Sequence, residues 1–408
     1  MSRKVGAIMS MIYLDNAATT PLLPEVLKEM LPYLEGQYGN PSGLYQISAE
    51  AKNAVENARK TIADTLGCEP EEIYFTSGGT EADNWAIKSV YRAGKKKCHI
   101  ITSQIEHHAV LHTCQALERE GCEVTYLKVD EMGRISPEEL EKAICPDTVL
   151  ITIMTANNEV GTIQPVRKIG EIARRHNIFF HTDAVQAYGH FPISVNKLGI
   201  DMLSASAHKF RGPKGAGFLY IKKDLDLPPF MHGGAQERGR RAGTENVPGI
   251  VGMGRAASLA HREMEEREQK TSAMRDYMIR RILGEIPFAR LNGSWKNRLS
   301  GNCNISFQFV EGAALLVLLD EEGICAAAGS ACSTGSKEPS HVLKAMGLPD
   351  NIAHGTLRLT IGYQNTMEEM DRAVECIKKC VARLRQNSPE FEDYMSGRKM
   401  PLSFGIRL

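Results

Sequence analysis

The chain has 408 residues, 42% of them hydrophobic and 24% charged, with 49 basic and 49 acidic side chains and a formal net charge of zero. That length exceeds one simple core and suits two or three domains of an ordinary soluble globular protein. The balanced charge excludes a large basic footprint for nucleic acid, though not a small local patch. No apolar run approaches the roughly 20 residues that cross a bilayer.

The N-terminal stretch MSRKVGAIMSMIYLD is basic, but its apolar part is too short and broken for a secretion signal. Met9 and Met11 suggest that residues 1–10 are a variable leader or an upstream start. A cytoplasmic location is expected. From about residue 50 to 220 short β-rich runs alternate with amphipathic helical stretches. AEAKNAVENARKTIADTLG is helical, EIYFTSG a strand, EADNWAIKSVYRAG a helix, HIITSQIEH a strand, AVLHTCQALEREG a helix and EVTYLKVD a strand. TVLITIMTANN, VRKIGEIARRHN, IFFHTDAVQ and MLSASAHK continue the pattern. This alternation predicts an α/β fold, a mostly parallel sheet wrapped by helices, with ligands at the carboxyl ends of the strands.

From about residue 249 the pattern changes. The Pro-free run 249–283 reads as one long helix bridging two domains. CNISFQF, the helix EGAALLVLLDEEG, a stretch of small residues, HGTLRLTIG and a last helix around Cys376 then predict a smaller α+β domain.

The cysteines at 68, 98, 114, 122, 145, 303, 325, 332, 376 and 380 form no C-x-x-C pair, which argues against zinc-ribbon and thioredoxin-like sites. In a reducing compartment most are free thiols. No metal site is expected. Cys376 and Cys380 flank the apolar stripe of their helix and suit packing. Cys332 is different. It lies in GSACSTGSKEP, among small hydrophilic residues that offer a thiol no burial.

Four features fall at strand ends in the first half. In FTSGGTEADNWAI a strand meets a helix through Ser77, Gly78, Gly79 and Thr80, a junction that suits either a phosphate or a tight turn. It matches neither G-x-G-x-x-G nor a Walker loop, so no nucleotide is implied. Asp183 ends an apolar strand, where a carboxylate needs a partner or serves as a helix N-cap. Gln186 follows three residues later. In SASAHK, Lys209 is a candidate Schiff-base nucleophile if desolvated, and an ordinary surface lysine otherwise. In QIEHHAV, His107 is placed to lie over a ligand and move protons, with His108 facing elsewhere. A phosphate turn, an acid at one strand end and a lysine at a later one are together what pyridoxal phosphate requires.

These motifs, with YLDNAATTP, GNPS, NNEVGTIQP, SASAHKFRGPKG, HGGAQERGRRAGTEN and GSACSTGSKEPSHVLKAMG in this order, resemble the cysteine desulfurases of the NifS/IscS type. Those are fold-type I pyridoxal-phosphate enzymes of the class V aminotransferase superfamily. The resemblance runs from Tyr13 to about residue 390. It implies a large cofactor domain over 24–262, and a small domain of 11–23 and 263–408 carrying a mobile nucleophile loop at about 325–340. It implies Lys209 as the cofactor lysine, Asp183 as partner of the ring nitrogen and His107 stacked on the ring. Asn158 and Gln186 should lie near the 3′-oxygen, and Gly79, Thr80, Ser206 and His208 around the phosphate. Thr244 should reach that phosphate from a second subunit, which implies a homodimer. Arg358 should clamp the carboxylate of L-cysteine, with Asn40 and Asn158 nearby.

Cys332 matches the family's nucleophile, which takes sulfur from cysteine as a persulfide and leaves alanine. The implied acceptors are an iron–sulfur scaffold, a tRNA-thiolating enzyme or a small relay protein. Two features depart from or add to the pattern. Tyr45 stands where the family often has histidine, which puts a proton-transfer role there in doubt. Cys325 is a further thiol near the nucleophile, either a buried small residue or an oxidation-sensitive partner. A selenocysteine lyase or another class V enzyme would keep the cofactor machinery without depending on Cys332. A non-catalytic sulfur-carrier scaffold would not need Lys209, Asp183, His107 and Arg358 together.

Overall fold

The computed structural model describes residues 11–94, 98–328 and 339–398. A two-residue strand, β1 (Ile12–Tyr13), opens it and leads to helices α1 (Pro24–Glu35) and α2 (Gln46–Leu66). Then strands and helices alternate as their apolar periods predict: β2 (Ile73–Thr76), α3 (Gly79–Ala93), β3 (His99–Ser103), α4 (His108–Arg119) and β4 (Glu123–Leu127). Next are α5 (Pro137–Lys142), β5 (Thr148–Thr152), α6 (Val166–Arg175), β6 (Phe179–Asp183), α7 (Val195–Leu198), β7 (Met202–Ser206) and β8 (Gly217–Ile221).

These seven strands form one sheet in the order β2-β8-β7-β6-β5-β3-β4. β8 is antiparallel to both of its neighbours and the remaining pairs are parallel. So β2 to β7 all point the same way, and their carboxyl ends share one edge. β2, β3, β6, β7 and β8 read as nearly unbroken buried runs, as a sheet covered on both faces requires. One face packs Phe75, Ile151, Phe180 and Phe218 against α2 and later helices. The other packs Leu150, Met202 and Leu219 against Trp85, Ile87 and Val110.

The expected single helix over 249–283 is instead two, α8 (Val247–Arg262) and α9 (Met264–Glu285), broken at Glu263 with φ −103° and ψ 9°. The Glu263 carboxylate accepts from Arg262 at 2.7 Å and from Arg267 at 2.6 Å, which fixes the bend. Each helix then serves its own core, Met253 and Ala256 in the first and Met274 and Met278 in a second.

The second core belongs to β9 (Ala289–Leu291), β10 (Asn302–Phe307), α10 (Gly312–Glu321) and β11 (Ile324–Cys325). After these come α11 (His341–Ala345), α12 (Asp350–Ala353), β12 (Thr356–Thr360), α13 (Met367–Gln386) and α14 (Pro389–Met395). β10 lies between β12 and β9, antiparallel to both, while β1 pairs in parallel with β11. Thr366 and Glu369 form a reciprocal capping box that starts α13. Cys376 and Cys380 are buried on that helix, so packing is their role. A smaller cluster joins Ile105, Met154 and Val160 of the first half to Val342, Leu343 and Met346 of the second. Among the described residues no helix is long and apolar enough to cross a membrane.

Candidate active site

A cavity of about 330 Å³ opens at the carboxyl edge of the large sheet. Its floor comes from the ends of β6 and β7, one wall from the start of α3, and its far side from Arg358 on β12. Gly79, Thr80, His107, Asn158 and Asp183 line it, as do Gln186, Ser206, His208, Lys209 and Arg358. Asn40 and Thr244 do not: both are exposed, and the Asn40 side chain accepts from Ser42 N at 3.0 Å. Cys332 lies outside the described residues.

At the start of α3 the turn is held flat against the sheet. A Cβ on Gly79 would meet Val185 Cγ2 at 2.5 Å, and one on Gly217 would meet Gly78 Cα at 2.6 Å. Gly78 itself has φ +154°, which side-chain-bearing residues rarely adopt. No side chain caps this helix. Its first-turn N–H groups therefore have no intrahelical acceptor and face the cavity beside Ser206 and His208. Burial, with Lys209 and Lys214 nearby, pushes the His208 imidazole down to about 4, so it is neutral near pH 7. Thus the turn is both tight and open to an anion.

Lys209 follows β7 in a short 3₁₀ turn, and its Nζ donates to Ala17 O at 2.5 Å and Ala18 O at 2.9 Å. Ala17 O also accepts from Gln186 Nε2 at 2.9 Å. The segment YLDNAATT thus passes directly over the lysine. Asp183 is followed by a turn, not a helix, and its Oδ1 accepts from Val185 N at 2.9 Å. Burial raises its carboxyl to about 6, with Lys209 pulling the other way. The His107 ring caps α4, its Nδ1 accepting from Ala109 N at 3.1 Å. Burial and Lys209 lower it to about 4, so the neutral ring carries its proton on Nε2. His108 turns away and stacks on His112 and His341, each at 4.8 Å between centroids.

The Arg358 side chain is almost fully buried, donating from Nη1 to Asn158 O at 3.1 Å and from Nη2 to Asp15 Oδ1 at 2.8 Å. Its buried Nε has no acceptor, so the fork keeps a donor in reserve. Ser340 opens α11, accepting from Val342 N and Leu343 N while donating to Glu159 Oε2 at 2.5 Å. None of the sequence motifs implies a role for Asp15, Ala17, Ala18, Glu159 or Ser340. All but Ser340 and Glu159 sit in YLDNAATT, whose dense small-polar run was the available signal.

The residues present fit pyridoxal phosphate. An uncapped helix N-terminus with Ser206 and His208 suits a phosphate dianion. Asp183 is a buried acid at a strand end, and Lys209 is an amine held by two carbonyls that a Schiff base would release. Tyr45, at the position where the family often has histidine, is exposed. Cys325 is half-buried in β11, paired with Tyr13, and burial raises its thiol. That makes it a poor nucleophile.

Residues 12–373 match the family model described as aminotransferase class-V. The chain is 56% identical over 379 residues to the cysteine desulfurase IscS of Methanosarcina thermophila, covering 93% of this chain and 94% of that one. It is 51% identical over 391 residues to the cysteine desulfurase IscS of Clostridium botulinum, covering 95% and 98%. Among solved structures, a NifS-like protein superposes with TM-score 0.86 at 40% identity, over 91% of this chain and 100% of that one. SspA in complex with cysteine does so with TM-score 0.78 at 40% identity, over 87% and 100%.

Proposed function

The chain belongs to the class-V aminotransferase family and is a pyridoxal-phosphate-dependent cysteine desulfurase, and from that premise we propose which residues divide the work. Bound in the cavity, the cofactor supplies an aldehyde that condenses with amines and a ring that stores the electron pair of a broken Cα–H bond. Gly79, Thr80, Ser206 and His208 hold its phosphate, Asp183 pairs its ring nitrogen, and Asn158 and Gln186 serve its ring oxygen. Lys209 carries it and, once displaced by L-cysteine, removes the substrate's Cα proton. Arg358 receives the substrate carboxylate, which suits a buried guanidinium with a donor in reserve.

Cys332 is the nucleophile. Its thiolate attacks the substrate sulfur and an S–S bond forms as the Cβ–S bond breaks; the electron pair stays with the carbon skeleton, which takes up protons at Cβ and Cα, and L-alanine leaves. Cys332 remains as a persulfide, so the sulfur gained by the protein is the one cysteine loses. A free thiol with a reference pKa of about 8.5 is only a few per cent ionised at pH 7. His107 carries its proton on Nε2, so it favours the thiolate by donating a hydrogen bond instead of acting as its base.

Thr244 acts from a second copy, and Asn40, exposed and away from the cavity in a single copy, is kept as a substrate neighbour. The exposed Leu27, Leu31 and Leu34 on α1, with Tyr38 and Leu44 after it, support a homodimer that covers this strip. We divide the chain into a large domain, 24–262, and a small one of 11–23 with 263–408, a division supported by the separate cores. The persulfide passes to an iron–sulfur scaffold, a tRNA-thiolating enzyme or a small relay protein in the cytoplasm.

The observation that carries this reading is the meeting of Lys209, Asp183, Arg358 and the open end of α3 in one cavity. Borohydride reduction of the cofactor-loaded protein followed by peptide mapping is expected to mark Lys209. Cys332→Ser is expected to keep the yellow cofactor colour while losing sulfide and alanine production from cysteine. Desulfuration at the normal rate in that variant would overturn the nucleophile and point instead to chemistry of the selenocysteine-lyase kind.

A further inference from the structure

Beneath Asp183 lies a second carboxyl that the scheme above does not use. Asp83 sits on the inner face of α3, 1% exposed, and lines the same cavity. Its Oδ1 is 3.7 Å from His181 Nε2 and makes no hydrogen bond. The Ser204 hydroxyl interacts with the Asp83 carboxyl and lies 2.9 Å from His181 Nε2. His181 Nδ1 is in turn 2.8 Å from Thr152 Oγ1. Thr152, His181 and Ser204 are fully buried on β5, β6 and β7. Thr152 pairs with His181 across the sheet, and Asp183 pairs with Ser204. A line of polar groups therefore crosses three strands directly under the cavity floor.

Proton counting allows this line two arrangements. Ser204 has one hydrogen, and a neutral imidazole has one N–H. Were Asp83 ionised, Ser204 would donate to it, His181 Nε2–H would donate to Ser204, and Thr152 would donate to Nδ1. With Asp83 neutral, a proton on Oδ1 would have no acceptor, so the O–H donates to Ser204, Ser204 donates to Nε2, and Nδ1–H donates to Thr152.

The surroundings decide between them. Oδ1 has no donor in either arrangement, and that costs far more for a charged carboxylate oxygen than for the carbonyl oxygen of a neutral acid. The charged or titratable groups that act on it are Asp183 and Glu106, both acids. Lys209 acts on Asp183. Burial and the Asp183 charge push Asp83 upward and outweigh the opposing pull of the Ser204 hydroxyl, and burial lowers His181 to about 3, leaving that ring neutral. Glu106, raised by burial to about 8, adds no favourable charge.

We propose that Asp83 is a positioning residue that stays neutral and donates into Ser204, polarising the relay toward Thr152 and leaving Asp183 as the one carboxylate of the floor. Its consequence for the cofactor rests on the reading of Asp183 given above, while the relay itself does not.

Two measurements test it. In the cofactor-free protein, ¹⁵N NMR of labelled histidine, with His181 assigned by loss of its signal in His181→Gln, is expected to show the Nδ1–H form at pH 7. The Nε2–H form would overturn the proposal. Titration of the same protein with pyridoxal phosphate is expected to give unchanged affinity in Asp83→Asn, whose amide also donates to Ser204. Asp83→Leu keeps the shape without a donor and is expected to weaken binding about tenfold. Asparagine as poor as leucine would mean the charge is needed, and leucine as good as wild type would mean there is no role. Either result overturns the proposal. Should the wild-type protein take up no pyridoxal phosphate, the cofactor reading falls and the imidazole tautomer still decides the relay.

Discussion

At the floor of the cavity Asp183, Ser206 and Lys209 stand at or just beyond the ends of adjacent strands, so sheet register fixes their spacing. At its rim the pairs Arg358–Asn158, Arg358–Asp15 and Ser340–Glu159 join residues 200, 343 and 181 positions apart. The first region is positioned by hydrogen-bonded neighbours within one element and has almost no freedom. The second exists only when two separately packed cores dock. Chemistry that needs fixed distances suits the floor, whereas the geometry of the rim depends on how the two cores dock.

That division can be broken by experiment. Asp183→Ala at the floor is expected to lower turnover of cysteine by about a thousandfold, since it removes the charge that makes the ring an electron store. A loss smaller than tenfold would mean the floor is not where the chemistry is set. At the rim, Arg358→Ala is expected to raise KM for cysteine by about a hundredfold and change kcat less, with Arg358→Lys intermediate as a single-point contact. If kcat fell as far as in the floor variant, the two regions would not be separable.

The floor should also show a pH dependence. The Asp183 carboxyl, raised to about 6, is ionised above that value and neutral below it. Cofactor affinity is therefore full above pH 6 and is expected to weaken as pH falls through it, by about tenfold per unit once the acid is protonated. Titration of the cofactor-free protein between pH 5 and 8 measures this, and a flat profile would contradict it. The smallest effect is expected from Ser340→Ala, which removes the cap of α11 and a donor to buried Glu159. Stability should drop by about 1 kcal/mol, roughly 2 °C in Tm, with Asp183-dependent cofactor binding unchanged.

The same contrast explains what could be read in the sequence. Lys209, Asp183 and the glycine turn were legible because each sits where a strand ends, and a strand end shows in a linear pattern. The alternation from residue 50 to 220 likewise reported the sheet and its polarity. Asp83 was not legible, because a polar residue four positions into an amphipathic helix looks solvent-facing until its burial is seen. Nor was the Asp15–Arg358 pair, which depends on docking across most of the chain. The break at Glu263 escaped for another reason. It contains neither Pro nor Gly, and it is marked only by a carboxylate shared between Arg262 and Arg267. The backbone N–H of Ala109, which occupies His107 Nδ1, is likewise a contact that no sequence pattern reports.

The strip over Lys209 has a consequence for how the protein is made. Asn16 Nδ2 donates to Thr360 O at 2.7 Å and Ala17 N to Thr360 Oγ1 at 2.8 Å, so the strip is secured by residues 344 and 343 positions downstream. At about 5–20 residues per second, a ribosome takes roughly 17 to 70 s to travel that far. In the latter part of that interval a growing chain contains Asp183 and Lys209, yet lacks the strand that ties down their cover. The cover of Lys209 is therefore secured last, and partly synthesised chains carry the sheet without it.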